Sequence, residues 1–231
     1  MWVYIWNDTW LPWSNTVAYY PLEKDGNDYS WNWHNLTWNS APTYTTSWGT
    51  KQVANLWGNK IGVIANLSGT YTNYTFNVWC KPTNTNTWQE IFDNSVYSEN
   101  TNNVYFSFNS SESSYVDFFY QYRPNGWSNT YQKVYWPTNR AANNRYNVVV
   151  TSTASWIKIY VNWTQVASNS TTWTMVLVSW SNSIGARYNS WQWNVNYFSG
   201  YLSEFIMEDK TWTAEEISNY YNTTKSQYWI S

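Results

Sequence analysis

Short segments in which apolar and polar side chains alternate constrain the fold of this chain more than any other feature. Residues 75–81 read Thr-Phe-Asn-Val-Trp-Cys-Lys, so Phe76, Val78 and Cys80 share one face and Trp79 lies on the other. The same alternation predicts strands at 104–109 and 157–161, and further strand candidates are 17–22, 115–122, 131–136, 146–151, 175–178, 183–187 and 197–208. Clusters of Asn, Ser and Thr separate these segments, as in a sandwich or barrel of antiparallel strands.

One helix is predicted near the C-terminal end. Thr213 and Glu216 have the spacing of a capping box, in which each side chain accepts a hydrogen bond from the other residue's backbone N–H. Ile217, Tyr220 and Tyr221 then form an apolar stripe with helical spacing. This stripe predicts a helix that packs on one of the sheets.

The composition excludes several classes of protein. The 231 residues include 12 basic and 14 acidic ones with no basic run, which argues against a nucleic-acid-binding protein. One Cys and one His exclude an internal disulfide and a thiolate or His-rich metal site. No apolar stretch is long enough to span a membrane. No linker or repeat divides the chain, so residues 1–15 are interpreted as a lead-in segment and 16–228 as one domain.

Tryptophan is abundant and glycine is scarce, at 21 and 8 of 231 residues. Most tryptophans lie among Ser, Thr, Asn, Gln or Pro, where turns are expected. Asn162-Trp163 stands between two predicted strands, where a two-residue hairpin loop favours Asn-Gly because both central residues need positive φ. Trp31 and Trp33 lie in another turn-rich segment, whereas Trp79 lies inside a strand, a normal setting for Trp.

This distribution suggests the hypothesis that twenty of the tryptophans are glycine in the natural protein. Some bacterial lineages read the UGA codon as glycine, and translating such a gene with a table that reads UGA as tryptophan would produce this pattern. Replacing twenty Trp raises Gly to 28 of 231 residues and leaves Trp79 alone, which suits a turn-rich β-domain. The alternative interpretation is functional, with exposed Trp and Tyr rings stacking on sugars.

With these tryptophans read as glycine, five segments resemble the laminin-G-like domains of the concanavalin A-like lectin/glucanase superfamily. They are the opening strand at 16–22, the Asn-Asp-Tyr-Ser-Trp-Asn-Trp loop at 27–36, the central strand at 74–82, the hairpin at 157–167 and the closing strand and helix at 198–222. The resemblance covers most of the chain. It implies an all-β fold, a jelly-roll sandwich of two antiparallel sheets with one short C-terminal helix.

The resemblance also implies a calcium ion near the 27–36 loop in some relatives. Asp25 and Asp28 are the candidate metal ligands, because carboxylate oxygens suit Ca²⁺, the one cofactor that the resemblance suggests. Ser203 stands where a further carboxylate is expected. The alternative is an Asx-rich turn, in which these side chains bond the nearby backbone.

A catalytic carboxylate pair is not predicted. Some members of the superfamily hydrolyse glycans with a Glu-x-Asp-x-x-Glu strand, but Glu90 and Asp93 are three residues apart here. On a regular strand such residues lie on opposite faces, whereas glycoside hydrolysis needs two carboxyl groups about 5–10 Å apart across the bond. The chain is therefore predicted not to be an enzyme.

The predicted function is a non-catalytic extracellular module that binds carbohydrate or another cell-surface ligand, as in adhesion. Tyr rings stack on sugars, while Asn and Arg bond their hydroxyls. The candidate ligand-binding residues are Tyr105, Tyr120, Tyr122, Arg123, Asn125, Tyr131 and Arg187. No signal peptide is visible, so the chain is expected to be a fragment of a larger adhesin-like or pilus-associated surface protein. A structural spacer domain is the first alternative and a glycoside hydrolase the second.

Overall fold

A computed structural model of the protein describes residues 3–5, 9–11, 14–46, 49–83, 88–94, 103–108, 118–123, 132–136, 142–170, 174–179, 181–188 and 195–228. Within these ranges the strands are β1 (Val3–Ile5), β2 (Thr9–Leu11), β3 (Thr16–Tyr20), β4 (Leu36–Trp38), β5 (Thr43–Thr45), β6 (Val53–Asn55), β7 (Gly62–Ile64), β8 (Gly69–Tyr71), β9 (Tyr74–Pro82), β10 (Gln89–Asn94), β11 (Asn103–Phe108), β12 (Phe118–Arg123), β13 (Gln132–Trp136), β14 (Tyr146–Ser152), β15 (Ile157–Val161), β16 (Thr164–Asn169), β17 (Met175–Leu177), β18 (Asn182–Ile184) and β19 (Gly200–Glu208). One α-helix, α1 (Ala214–Thr224), and a 3₁₀ turn (Lys225–Tyr228) follow them.

Most of these strands form two antiparallel sheets. The seven-stranded sheet has the order β13-β12-β11-β10-β18-β7-β4. The eight-stranded sheet has the order β16-β15-β14-β9-β19-β6-β5, and β3 pairs with β19. Two small pairs, β1 with β2 and β8 with β17, lie outside these sheets. The predicted all-β sandwich with a single late helix is confirmed.

The main core lies between the two sheets. Phe76 of β9 and Phe92 of β10 pack with their ring centroids 5.0 Å apart, and Phe205 of β19 lies 5.8 and 5.6 Å from them. Val78 and Cys80 follow Phe76 into this core, as the alternation predicts. Burial raises the pKa of the Cys80 thiol, so this cysteine is an inert core residue.

A second apolar cluster covers the other face of the eight-stranded sheet. The capping box of Thr213 and Glu216 forms as predicted, and the helix it opens packs on this face. Trp79 of β9 stacks between Tyr221 and Tyr228, with ring centroids 5.7 and 4.4 Å away. None of the described helices is long and apolar enough to cross a membrane. Both faces of β9 are thus buried, one against the facing sheet and one under the helix.

The strands between residues 36 and 71 are absent from the sequence prediction. Strands β4 to β8 have three residues each, too few to show an alternating pattern. They form because longer neighbours offer hydrogen-bonding edges; β7, for example, pairs with β18 and β4. Position in the sheet, and not local sequence, makes these segments strands.

A buried ion-pair cluster fastens the helix to the loops beneath it. The Lys51 ammonium contacts the Glu204 carboxylate and lies 3.1 Å from Glu23, and Tyr220 of the helix donates its hydroxyl hydrogen to Glu204. Glu204 is fully buried and lies at a register shift of β19. Burial lowers the pKa of Lys51, while the nearby Glu23 charge opposes that shift. Each of these buried charges has lost hydration and is compensated by its oppositely charged neighbour, so removing one group leaves another buried and unpaired.

Replacing Lys51 by Met leaves Glu204 buried without its cation. We expect Lys51→Met to lower the free energy of unfolding by about 3–5 kcal/mol, measured by urea denaturation. Lys60→Met is the matched control, since Lys60 makes an exposed contact with Ser40, and its effect should stay within about 0.5 kcal/mol. A loss equal to that of the control would contradict the role given to this cluster.

Candidate functional site

The outer face of the seven-stranded sheet carries a group of polar residues. The register pairs Asp93 of β10 with both Tyr105 of β11 and Ser183 of β18, and directly paired residues share a face. Tyr105 alternates with core residues of β11, so this row faces away from the sandwich interior. Asp93 and Ser183 are fully buried and Tyr105 is 6% exposed, so this row is covered although it faces away from the core between the sheets.

A register shift in β10 overturns the predicted positions of two carboxylates. Glu90 pairs with Ser107 and Asp93 with Tyr105, and the shift lies between Glu90 and Phe92. Ser107 and Tyr105 are two residues apart on β11 and share a face, so Glu90 and Asp93 share that face too. The prediction that they lie on opposite faces is wrong, because the irregular residue resets the alternation of the strand.

Arg187 joins these groups into a cluster of Glu90, Asp93, Tyr105 and Arg187, here called the Arg187 cluster. One guanidinium nitrogen, Nη2, lies 3.8 Å from Glu90 Oε1, and Nε lies 3.7 Å from Asp93 Oδ2. The guanidinium carbon stands 4.6 Å from the centroid of the Tyr105 ring, a cation–π contact. A bridge with Val195 positions the Arg187 backbone.

The members of the cluster differ in their access to solvent. The Arg187 side chain is 25% exposed, whereas both carboxylates are fully buried and Tyr105 is only 6% exposed. Arg187 is therefore the member of this cluster that is most exposed to solvent, although its Nε atom is buried. Its two carboxylates fix its orientation before any ligand binds.

Burial raises the pKa of Glu90 to about 7. The Arg187 charge opposes this rise, as do hydrogen bonds that the Ser107 hydroxyl and the Asn196 amide donate to the carboxylate. The cluster thus holds a carboxyl group whose charge changes near neutral pH. Such groups occur both at functional sites and in structural networks.

A pocket of about 450 Å³ adjoins the cluster. Its lining residues are Trp57, Gly58, Asn59, Trp88, Asn196, Tyr197, Phe198 and Ser199. Asn196 also bonds Glu90 at 3.3 Å, and the Trp88 ring centroid lies 5.8 Å from the Arg187 guanidinium carbon. The pocket and the Arg187 cluster are therefore neighbours, joined by Asn196 and Trp88.

The structure brings together two of the seven residues predicted to bind ligand. Tyr105 and Arg187 are in contact, although they are far apart in the sequence. Tyr120, Tyr122 and Arg123 lie on β12, where the register pairs them with Phe106, Val104 and Asn103 of the neighbouring strand. Val104 and Phe106 are core residues, and Asn103 lies in the row of β11 that contains Tyr105. Asn125 and Tyr131 lie outside the described residues.

The sequence does not predict Glu90, Asp93 or Asn196 as ligand-binding residues, although the first two belong to the Arg187 cluster and Asn196 bonds Glu90. The spacing of the two carboxylates predicts opposite faces, and no pattern in the sequence marks the register shift between them. Asn196 carries a weak signal, since Asn tolerates the left-handed conformation that it adopts with φ of 58°. Only the pairing of β10 with β11 joins these residues to Arg187.

Asp25 and Asp28, the candidate calcium ligands, act as acceptors for nearby protein donors. Asp28 accepts backbone N–H bonds from Tyr19, Ser30 and His34 at 2.8–3.0 Å. Asp25 accepts the backbone N–H of Asn27 at 3.1 Å. These contacts are those of an Asx-rich turn.

These two side chains do not fit a preformed calcium site. Among the described residues no group of three or more His, Cys, Asp or Glu side chains could hold a metal ion. Ser203, at the position where a carboxylate is expected, bonds the Pro21 carbonyl and the Tyr228 hydroxyl at 3.0 Å. Calcium binding stays a prediction, which melting with and without EDTA tests.

A match to a family model identifies the fold family. Residues 58–218 match the model described as concanavalin A-like lectin/glucanases superfamily. The chain belongs to this superfamily. No curated protein sequence matches the chain.

Solved structures of several superfamily-like domains superpose on the chain. Domain 4 of AbnA, a GH43 extracellular arabinanase from Geobacillus stearothermophilus solved with arabinotriose, has a TM-score of 0.70 at 14% identity and covers 89% of this chain and 98% of that one. The binding domain of Paraclostridial Mosquitocidal Protein 1 has a TM-score of 0.68 at 13% identity, over 91% of this chain and 52% of that one. A structure of botulinum neurotoxin type C, whose cell entry depends on two ganglioside molecules, has a TM-score of 0.58 at 12% identity, over 91% and 51%. This chain spans about half the length of the two toxin structures.

The raised pKa of Glu90 predicts a pH-dependent stability. Between the ordinary Glu pKa of about 4.3 and about 7 the folded protein holds a proton that the unfolded chain has released, so stability falls as pH rises through this range. Glu90→Gln should reduce that slope by at most about 1.4 kcal/mol per pH unit, measured by urea denaturation at several pH values. Burial also raises the pKa of Glu208 to about 7, so part of the slope remains.

Glu215→Gln is the control for this measurement. Glu215 is exposed in the first turn of the helix, and its removal should leave the slope between these pH values unchanged. An unchanged slope in Glu90→Gln as well would show that Glu90 ionises normally in the folded protein.

Proposed function

We propose that this protein is a non-catalytic, extracellular carbohydrate-binding module of the superfamily. The observation that carries the proposal is the partly exposed Arg187 side chain, whose guanidinium lies 3.7–3.8 Å from two buried carboxylates and over the Tyr105 ring. Arg presents several N–H donors in a fixed plane, and sugar hydroxyls and ring oxygens accept such bonds. An arginine oriented in advance loses little freedom when a ligand binds.

The similar structures support binding as the activity but do not identify a ligand for this chain. One was solved with arabinotriose, and another belongs to a toxin whose entry depends on gangliosides. At 12–14% identity these likenesses concern the fold. The sheet face and adjoining pocket described here supply the local argument, and residence in a larger surface protein is part of the same proposal.

Hydrolysis is disfavoured by the geometry of the two carboxylates on this face. Glu90 and Asp93 are fully buried and both face the same guanidinium. A glycosidase needs one carboxyl group on each side of the scissile bond, within reach of the sugar. Here both carboxylates are buried and lie 3.7–3.8 Å from the Arg187 guanidinium, an arrangement that suits orienting the arginine and not attack on a glycosidic bond.

The experiment is a glycan array followed by calorimetric titration of the bound glycan. The array includes arabino-oligosaccharides and ganglioside oligosaccharides. We expect Arg187→Lys to weaken binding by about tenfold or more, because Lys keeps the charge between the carboxylates but loses the planar set of donors.

Lys158→Ala is the matched control. Lys158 also lies over an aromatic ring, 4.2 Å from the centroid of Trp156, but belongs to the eight-stranded sheet. Its affinity should equal that of the unmodified protein. Binding of no glycan would favour the spacer domain, and normal affinity in Arg187→Lys would place the site elsewhere.

A further inference from the structure

Three tryptophans have backbone conformations that favour glycine. Trp31, Trp33 and Trp163 have φ angles of 71°, 61° and 69°. In this left-handed region Cβ crowds the following carbonyl oxygen, so Gly is strongly preferred and Asn is the residue that tolerates it best after Gly. The described residues follow that rule elsewhere, since five of the other seven non-glycine residues with positive φ are Asn, namely Asn59, Asn66, Asn143, Asn162 and Asn196.

The hairpin between β15 and β16 gives the clearest case. Val161 pairs with Thr164, so Asn162 and Trp163 are the two residues of the loop. Their φ angles of 47° and 69° are those of a type I′ turn, which matches the right-handed twist of the strands and requires positive φ at both residues. Asn-Gly is the favoured pair in this turn, and a large aromatic residue at its second position is strained.

The loop that follows β3 contains the other two tryptophans with positive φ, Trp31 and Trp33, which flank Asn32. Asp28 accepts the backbone N–H of Ser30 at 2.8 Å and that of His34 at 3.0 Å, which fixes the path of the backbone between them. Trp31 and Trp33 lie on this fixed path and take its positive φ angles. The local polar contacts therefore impose the conformation, and the indoles do not select it.

Two of the three indoles also lack the burial that stabilises a tryptophan in a fold. Trp31 and Trp33 are 72% and 74% exposed, whereas Trp163 is 43% exposed and its ring centroid lies 5.7 Å from that of Tyr221. Trp79, in contrast, stacks on Tyr221 and Tyr228, is fully buried and has no positive φ. Trp212 is also buried without positive φ, and its indole N–H donates to Glu208 at 2.6 Å, so these criteria favour Trp there as well, unlike the hypothesis of twenty glycines. A strained backbone and an exposed apolar ring at the same position are two separate arguments against Trp.

We infer that the natural protein carries glycine at positions 31, 33 and 163, and tryptophan at position 79. A gene whose UGA codons are read as glycine in its own cell, but as tryptophan in the translation that produced this sequence, accounts for both. The inference rests on backbone geometry and exposure and is independent of the carbohydrate-binding proposal.

The codons and the natural protein decide the question directly. We expect UGA at positions 31, 33 and 163 and UGG at position 79. Peptides of the natural protein, identified by mass spectrometry, should contain Gly at the first three positions and Trp at the fourth. UGG codons at the three positions, or peptides with Trp there, would overturn the inference.

The backbone strain at positions 31, 33 and 163 can be tested separately on the recombinant chain. Trp31→Gly, Trp33→Gly and Trp163→Gly should each raise the melting temperature by about 2–4 °C, because each removes a strained conformation. Trp156→Gly is the matched control, since Trp156 lies in a turn without positive φ and its ring lies under the Lys158 ammonium. Its melting temperature should not rise. If the three variants melt no higher than this control, the strain argument is wrong.

Discussion

The fold depends on the double burial of β9. Phe76 and its alternate neighbours fill the space between the sheets, and Trp79 fills the space under the helix. A strand buried on both faces must lie in the middle of a layered structure, with one sheet and one helix as its covers. The helix therefore packs on the eight-stranded sheet. The Arg187 cluster lies on the outer face of the other sheet, where its arginine is the partly exposed member.

The carboxylates of Glu204, Glu208 and Glu90 are all buried, but they lie in different parts of the protein and bond different partners. Glu204 meets Lys51 beneath the helix, and Glu208 accepts the indole N–H of Trp212 at 2.6 Å. Both lie inside the protein and serve to hold elements together. Glu90 is equally buried, but its cation, Arg187, reaches the surface. The same requirement, that a buried carboxylate be paired or hydrogen-bonded, here orients a partly exposed arginine.

The inference about glycine changes which aromatic residues count as a binding surface. Exposed indoles at positions 31, 33 and 163 would suggest a platform for sugar stacking. With glycine there, that platform disappears and three strained turns become ordinary ones. The Arg187 cluster includes none of these positions. Trp57 and Trp88 of the adjoining pocket are among the twenty tryptophans of the wider hypothesis, so glycine there would change the pocket lining and leave the cluster itself unchanged.

Local patterns in the sequence predict the parts of this protein that local physics controls. Alternation of side chains locates β9, β14 and β15, and the spacing of Thr213 and Glu216 locates the start of the helix, because these signals depend on residues a few positions apart. The demand for positive φ at Asn162-Trp163 is likewise a property of a two-residue turn. Each of these features is visible before any tertiary contact is known.

The tertiary structure alone decides the site. The shift in β10 that brings Glu90 and Asp93 to one face depends on its pairing with β11, and the meeting of both with Arg187 depends on the folding of distant segments onto one sheet. The short strands β4 to β8 are strands only because their neighbours supply an edge. The sequence by itself therefore determined the class of fold, the helix and the anomalous turns. The site was decided by long-range pairing, since register and contact between distant side chains leave no periodic mark in the chain.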